Sequence, residues 1–273
     1  MKDYADSPLI RFFLVVVMII SLSGCSDEKT TTASLAPKPQ MLVYCGITMV
    51  NPIKEIAALM EKELDVEIII TQGGSEDLYQ SLRIAAKGDL YLPGSASYRQ
   101  RHQHEGLLGD YIHVGYNKAA LFVAKGNPLN LTNDIHQLHD ENLRVMVGDP
   151  DSGSIGRETF KILEKAGIAE KVRHNAIHLS TDSRALNYSI KENKADLILN
   201  WRATAFFKDN REFIDVIDLP DDIAAPKKLE LNMLTFSQYP EKARRFMAFS
   251  ASEQGQAIFR KHGFIDKDSL KDI

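Results

Sequence analysis

Three apolar runs in this chain each end in a short turn carrying hydroxyl groups, and each turn opens an amphipathic helix. Residues 41–45 (MLVYC) lead to Thr48, 66–71 (VEIIIT) lead to Gly73-Gly74-Ser75, and 143–147 (LRVMV) lead through Gly148-Asp149-Pro150 to Ser152-Gly153-Ser154. After the first turn Ile53, Ile56, Ala57 and Met60 recur at helical spacing, with Asn51 as the expected cap and Pro52 at the first helical position. After the second, Leu78, Leu82 and Ala85 share one face; after the third, Phe160 and Leu163 do, with Gly167 as the stop. Residues 89–92 (DLYL), ended by Pro93-Gly94, read as a further strand. Strand, helix, strand, helix, strand requires a parallel sheet with crossover helices.

The pattern then restarts. Residues 119–124 (AALFVA) read as a strand closed by Gly126-Asn127-Pro128, Asp182 caps a helix holding Ala185, Leu186 and Ile190, and 195–199 (ADLIL) read as a strand. Residues 229–236 are strand-like, and helices over 241–249 and 253–262 finish the chain, with Gly263 as the stop. The two halves share an architecture and no sequence repeat. The expected fold is α/β and two-lobed, each lobe a mostly parallel sheet flanked by helices, with lobe one at 41–115 plus 225–273 and lobe two at 116–224. About 230 residues suffice for two such lobes.

The N-terminus carries a different signal. Residues 12–22 (FFLVVVMIISL) are uncharged and follow Lys2 and Arg11. The run is too short to span a bilayer as a helix and fits the apolar core of a secretory signal peptide, assigned to residues 1–24. Leu22-Ser23-Gly24-Cys25 resembles the bacterial lipobox, which implies lipid on Cys25 and a membrane-anchored location in the periplasm or at the cell surface. Residues 25–40, rich in Ser, Thr, Lys and Pro, read as a lipidated tether. The other cysteine, Cys45, has no partner for an internal disulfide and reads as a buried thiol.

Charge narrows the ligand. With 33 basic and 37 acidic residues, the net charge is −4, so no basic excess exists to coat a nucleic acid. A helix start offers free N–H groups and the positive end of a dipole, and a Ser or Thr there adds an O–H donor. In an open α/β sheet, ligands bind where strand carboxyl ends meet helix starts. Thr48, Ser75, Ser152 and Ser154 occupy such turns, and Gly73, Gly74 and Gly153 let a backbone approach closely. Converging turns from two lobes would make a pocket of neutral donors, suited to a small oxyanion. The competing reading of each hydroxyl is a helix cap, contributing about 1 kcal/mol.

These motifs, in their order, resemble the periplasmic molybdate-binding proteins and the wider type 2 solute-binding proteins of bacterial ABC importers, over about Met41 to Phe264. The resemblance runs through 43–50 (VYCGITMV), with Thr48 at the family's Ser position, 73–78 (GGSEDL), 88–92 (GDLYL), Asn127-Pro128, 148–157 (GDPDSGSIGR) and 246–264 (FMAFSASEQGQAIFRKHGF). It implies that Thr48 and Ser75 donate to the anion through O–H and N–H. It further implies an N–H from Gly94 or Ser95, donors from Ser152, Gly153 and Ser154, and a role for Trp201 where the family has a Tyr. It implies a monomeric carrier that delivers its solute to importer membrane subunits, with no cofactor and no catalysis.

Thr for Ser, Trp for Tyr, and Pro93-Gly94-Ser95 for the usual Ser-Ala are departures from that pattern. Ser152-Gly153-Ser154 also resembles the Ser-Gly-Thr turn of phosphate-binding proteins. Phosphate keeps a proton and wants an acceptor, for which Asp151 is a candidate; Arg157 and Arg202 are candidate cationic contacts. A phosphate-type or organic-anion carrier, and a lipoprotein sensor or adaptor on the same fold, are therefore the alternatives. No nucleophile elbow, Walker loop or dinucleotide fingerprint supports an enzyme. His102-x-His104 and His136-x-x-His139 lack a third ligand nearby, so no metal site is expected.

Overall fold

A computed structural model describes residues 38–265; the signal segment, Cys25 and the tether up to residue 37 lie outside them. In chain order the elements are β1 (Gln40–Gly46), α1 (Val50–Leu64), β2 (Glu67–Gly73), α2 (Ser75–Ala85), β3 (Leu90–Leu92), α3 (Ser97–His102), β4 (Leu108–Asn117), β5 (Ala119–Ala124), β6 (Val145–Gly148), α4 (Ser154–Lys165), α5 (Ala169–Asn175), β7 (His178–Ser180), α6 (Ser183–Lys191), β8 (Leu197–Trp201), β9 (Ile214–Asp218), β10 (Lys227–Leu234), α7 (Pro240–Ala251) and α8 (Glu253–Lys261).

The strands form two five-stranded sheets with equivalent orders, β2-β1-β3-β10-β4 and β7-β6-β8-β5-β9. Each sheet is mixed. β1 pairs in parallel with β2 and β3, and β6 with β7 and β8. The strands that pass between the lobes pair antiparallel: β10 with β3 and β4, and β5 with β8 and β9. The chain crosses once from β4 to β5 at Lys118 and returns between β9 and β10. Lys118 at the first crossing is ion-paired to Asp221 in the second.

Both faces of the lobe-one sheet are covered, which is why β1 reads as an unbroken apolar run. Met41, Val43 and Cys45 pack on one face with Ile53, Ile56, Met60, Phe246 and Phe259 from α1, α7 and α8. Tyr44 on the other face joins Leu78, Tyr79 and Leu82 of α2. Lobe two has its own core, built on Leu121, Val147, Phe160, Leu163, Leu186 and Leu199. Cys45 is fully buried, and burial pushes its thiol pKa up.

Two local expectations change. Asn51 is not the cap of α1. The chain leaves β1 directly into a 3-10 turn, Ile47–Met49, so the helix begins at Val50 and Pro52 falls within its first turn, where its missing N–H costs nothing. Ser75 and Ser154 are not caps either. The N-cap residues are Gly74 and Gly153, neither helix has a side-chain cap, and each serine is the first helical residue. Asp182 does cap α6, its Oδ1 accepting from Arg184 N at 2.7 Å and Ala185 N at 3.0 Å.

Candidate functional site

Because the two sheets share one topology, the carboxyl ends of their parallel strands face the same cleft. Four helix starts meet there. From lobe one come Gly46, Ile47 and Thr48 ahead of α1, Gly73, Gly74 and Ser75 at α2, and Gly94 after β3. From lobe two come Gly153, Ser154 and Ile155 at α4 and Asp182 and Ser183 at α6. The hollow they enclose has a volume of about 10 Å³, room for one water-sized body.

Glycines at the N-cap positions let the backbones close in. A β-carbon on Gly74 would lie 2.7 Å from the carbonyl oxygen of Ser152 in the opposite lobe. That carbonyl already accepts the Glu76 N–H at 3.3 Å. With no side-chain caps on α2 and α4, the wall presents N–H groups that nothing in their own helices satisfies. Ser75 is held by its neighbours: Gly94 N–H donates to its Oγ at 3.0 Å, and Tyr91 O–H donates to its carbonyl at 2.8 Å.

Of the residues singled out from the sequence, Thr48, Ser75, Gly94, Gly153 and Ser154 line the hollow together. Ser95, Ser152 and Trp201 are not among the lining residues. Ser95 Oγ is 2.9 Å from Ser97 Oγ and accepts the Ser97 N–H at 3.1 Å. Ser152 O–H donates to Thr181 O at 2.9 Å. Trp201, fully buried, stands behind the wall and donates its indole N–H to Ser154 Oγ at 2.9 Å.

Three further candidates also lie outside the lining. Asp151 is exposed, and its N–H bonds Asp149 Oδ1 at 2.8 Å. Arg202 pairs with Asp218 at 2.8 Å. Arg157 reaches across the lobes to Glu76 at 3.3 Å and lies over the Tyr98 ring at 4.7 Å. His102 stacks on Tyr79, with ring centroids 3.7 Å apart, and lies 2.8 Å from Glu105. Among the described residues, no group of three or more metal-ligating side chains is disposed to hold an ion.

Sequence reasoning did not select Gly46, Ile47, Ile155, Asp182 or Ser183 as wall residues. Asp182-Ser183 repeats the expected pattern of a strand end followed by a hydroxyl at a helix start. It was hidden because β7 is only three residues long.

The wall carries no Lys, Arg or His and one carboxylate residue, Asp182. Charge instead gathers at the rim. Desolvation first, then the nearby Glu76, Asp149 and Asp182, raises the Asp77 carboxyl above its ordinary value. Burial would also raise Glu76, but a hydrogen bond from Gln80 and the charges of His102 and Arg101 hold it below the usual range. Chemically, the hollow can bind through N–H and O–H donors.

The chain and its fold can be compared with known proteins. The model of the family described as "Bacterial extracellular solute-binding protein" matches residues 41–265. A Haemophilus influenzae protein described as a binding protein is 22% identical over 227 residues, covering 82% of this chain and 90% of its own. A sulfate-binding protein from Mycobacterium tuberculosis superposes with a TM-score of 0.74 at 14% identity, over 86% of this chain and 90% of that one. The periplasmic molybdate-binding protein of Azotobacter vinelandii gives 0.70 at 13% identity, over 82% and 98%. These structures share the two-lobed, type 2 periplasmic-binding fold. The chain belongs to the bacterial extracellular solute-binding protein family.

Proposed function

We propose that this protein is a lipid-anchored, extracytoplasmic carrier that captures a small, molybdate-like oxyanion and delivers it to the membrane subunits of an ABC importer. The observation that carries this reading is the meeting of four helix starts, two from each sheet, around one hollow whose wall has no cationic side chain. Such a wall replaces the hydration of a small anion with N–H and O–H donors and helix dipoles. Thr48, Ser75, Gly153 and Ser154 are the proposed donors to the ligand. Gly94 closes the wall with its N–H given to Ser75 Oγ, and Trp201 supports Ser154 from behind. Ser95 and Ser152, whose hydroxyls bond Ser97 and Thr181, are not proposed as contacts. The anchor is Cys25. The lobes, 41–115 with 225–273 and 116–224, close by a hinge at the paired crossings, and the ligand favours the closed state by touching both. No reaction is proposed.

A second reading is favoured by Asp182. A carboxylate in the wall suits an anion that brings its own hydrogen, as phosphate does, and Asp182 rather than the exposed Asp151 lines the hollow. Calorimetric titration with molybdate, tungstate, sulfate and phosphate at two pH values tests both. Binding of the fully ionised anions over phosphate supports the molybdate-like reading, and the reverse order supports the second. No binding by any of the four defeats the oxyanion reading.

A further inference from the structure

Trp201 sits at the end of β8, and its surroundings leave it no freedom. Its N–H donates to Asn200 Oδ1 at 2.8 Å, and its carbonyl accepts the Thr204 O–H at 2.9 Å. Asn200 in turn donates to Ser183 O at 3.0 Å and to Asn187 Oδ1 at 2.8 Å, which ties the strand to the start of α6. The indole is thus aimed by the same network that fixes part of the wall. It donates to Ser154 Oγ at 2.9 Å, and a β-carbon on Gly94 would lie 3.4 Å from its Nε1.

A hydroxyl has one proton to give and two lone pairs to fill. The indole N–H can only donate, so it holds Ser154 Oγ as an acceptor on one side, and among the described residues no hydrogen bond takes up the serine proton. Ser75 is treated the same way on the other lobe, where the Gly94 N–H occupies its oxygen. Ser154 and Ser75 are each thus left to donate, one by the indole behind the wall and the other by the backbone N–H of Gly94 within it. An indole could not be replaced here by a hydroxyl without losing that one-way direction, since a hydroxyl can also accept.

We propose that Trp201 is a positioning residue that sets Ser154 as a hydrogen-bond donor to the bound oxyanion, without touching the anion itself. The proposal rests on the oxyanion reading above. Trp201 is the chain's single tryptophan.

The test is a double-mutant cycle on the full-length chain, with binding of sulfate, phosphate and molybdate salts read by calorimetry. Trp201→Phe is expected to weaken the anion that binds by roughly tenfold, the size of one neutral hydrogen bond. In a Ser154→Ala background the same change is expected to cost less than about twofold, because the group it acts through is gone. An equal loss in both backgrounds, or no loss in either, overturns the role of Trp201 and leaves the oxyanion reading intact. Failure of these three salts and of tungstate to bind the unmodified chain overturns both. Should Trp201→Phe unfold, the benzothienyl analogue of tryptophan at position 201 keeps the shape without the N–H, and the same cycle is run with it.

Discussion

Gly94 of lobe one and Ser154 of lobe two approach so closely that a β-carbon at position 94 would overlap the Ser154 hydroxyl oxygen and lie 3.0 Å from its β-carbon. The contact joins the turn after β3 to the first residue of α4, so it exists only while the lobes are shut. Side-chain freedom at Ser154 offers little escape, because the Trp201 indole fixes its hydroxyl. Gly94→Ala is therefore expected to hold the lobes apart while leaving each core folded. Anion affinity should fall by roughly two orders of magnitude, about 2.7 kcal/mol. Small-angle scattering should show no contraction on adding ligand. A variant that contracts and binds as the unmodified chain does would show that this approach is not part of closure.

Ser75 illustrates how a helix-start serine can be misread. From the sequence, its loss should cost a cap as well as a ligand contact. In the structure Gly74 holds the cap position, and Ser75 Oγ instead accepts the Gly94 N–H. Ser75→Ala should accordingly lower stability not by a lost cap but by the partner it takes from the buried Gly94 N–H, about 1–3 kcal/mol. Affinity for the anion should drop about tenfold. Chemical denaturation and calorimetry on the same variant separate the two effects, and an affinity left unchanged removes Ser75 from the site.

Much of the fold was open to reading because its central strands are buried on both faces. β1 and β5 appear as uninterrupted apolar runs, and the observed β5 has the expected limits, Ala119–Ala124. The long β4 was not legible. Gly109, Asp110 and Gly115 break its apolar pattern, and its pairing with β10 carries register shifts, so neither alternation nor a continuous run appears. The site was half legible for a related reason. A hydroxyl at a helix start is a local pattern, and Thr48, Ser75 and Ser154 could be found by it. The bond between Trp201 and Ser154 spans 47 residues of sequence, and no spacing rule reaches that far. Nor could spacing show that Arg157 would be drawn to Glu76 rather than to a ligand.

Asn200 should be the structural keystone of the lobe-two wall. Its fully buried amide donates to Ser183 O and Asn187 Oδ1 and accepts the Trp201 N–H. Removing it leaves several buried polar groups without partners, each costing about 1–3 kcal/mol. Asn200→Ala is expected to lower stability by about 2–4 kcal/mol in urea unfolding. A loss below about 1 kcal/mol would mean that water replaces the amide at little cost.

Acid should favour closure, and Asp77 is the group to test. Its carboxyl lies on α2 at the rim, where desolvation and the carboxylates of Glu76, Asp149 and Asp182 raise its pKa. Asp149 and Asp182 belong to lobe two, so part of this repulsion acts across the cleft. A raised pKa means that the ionised form opposes the folded, closed state. The opposition is fully present above the raised value and disappears as pH falls through it toward the ordinary Asp value. Asp77→Asn should thus stabilise the closed protein at neutral pH and strengthen anion binding. Asp77 is exposed, and screening limits the gain to under about 1 kcal/mol. The gain should shrink as pH is lowered through the raised value, as the unmodified chain also loses the charge. Thermal unfolding of both proteins at pH 4 and pH 7, with and without ligand, measures it. A benefit from Asp77→Asn that is the same at both pH values would show that its origin is not the carboxylate charge.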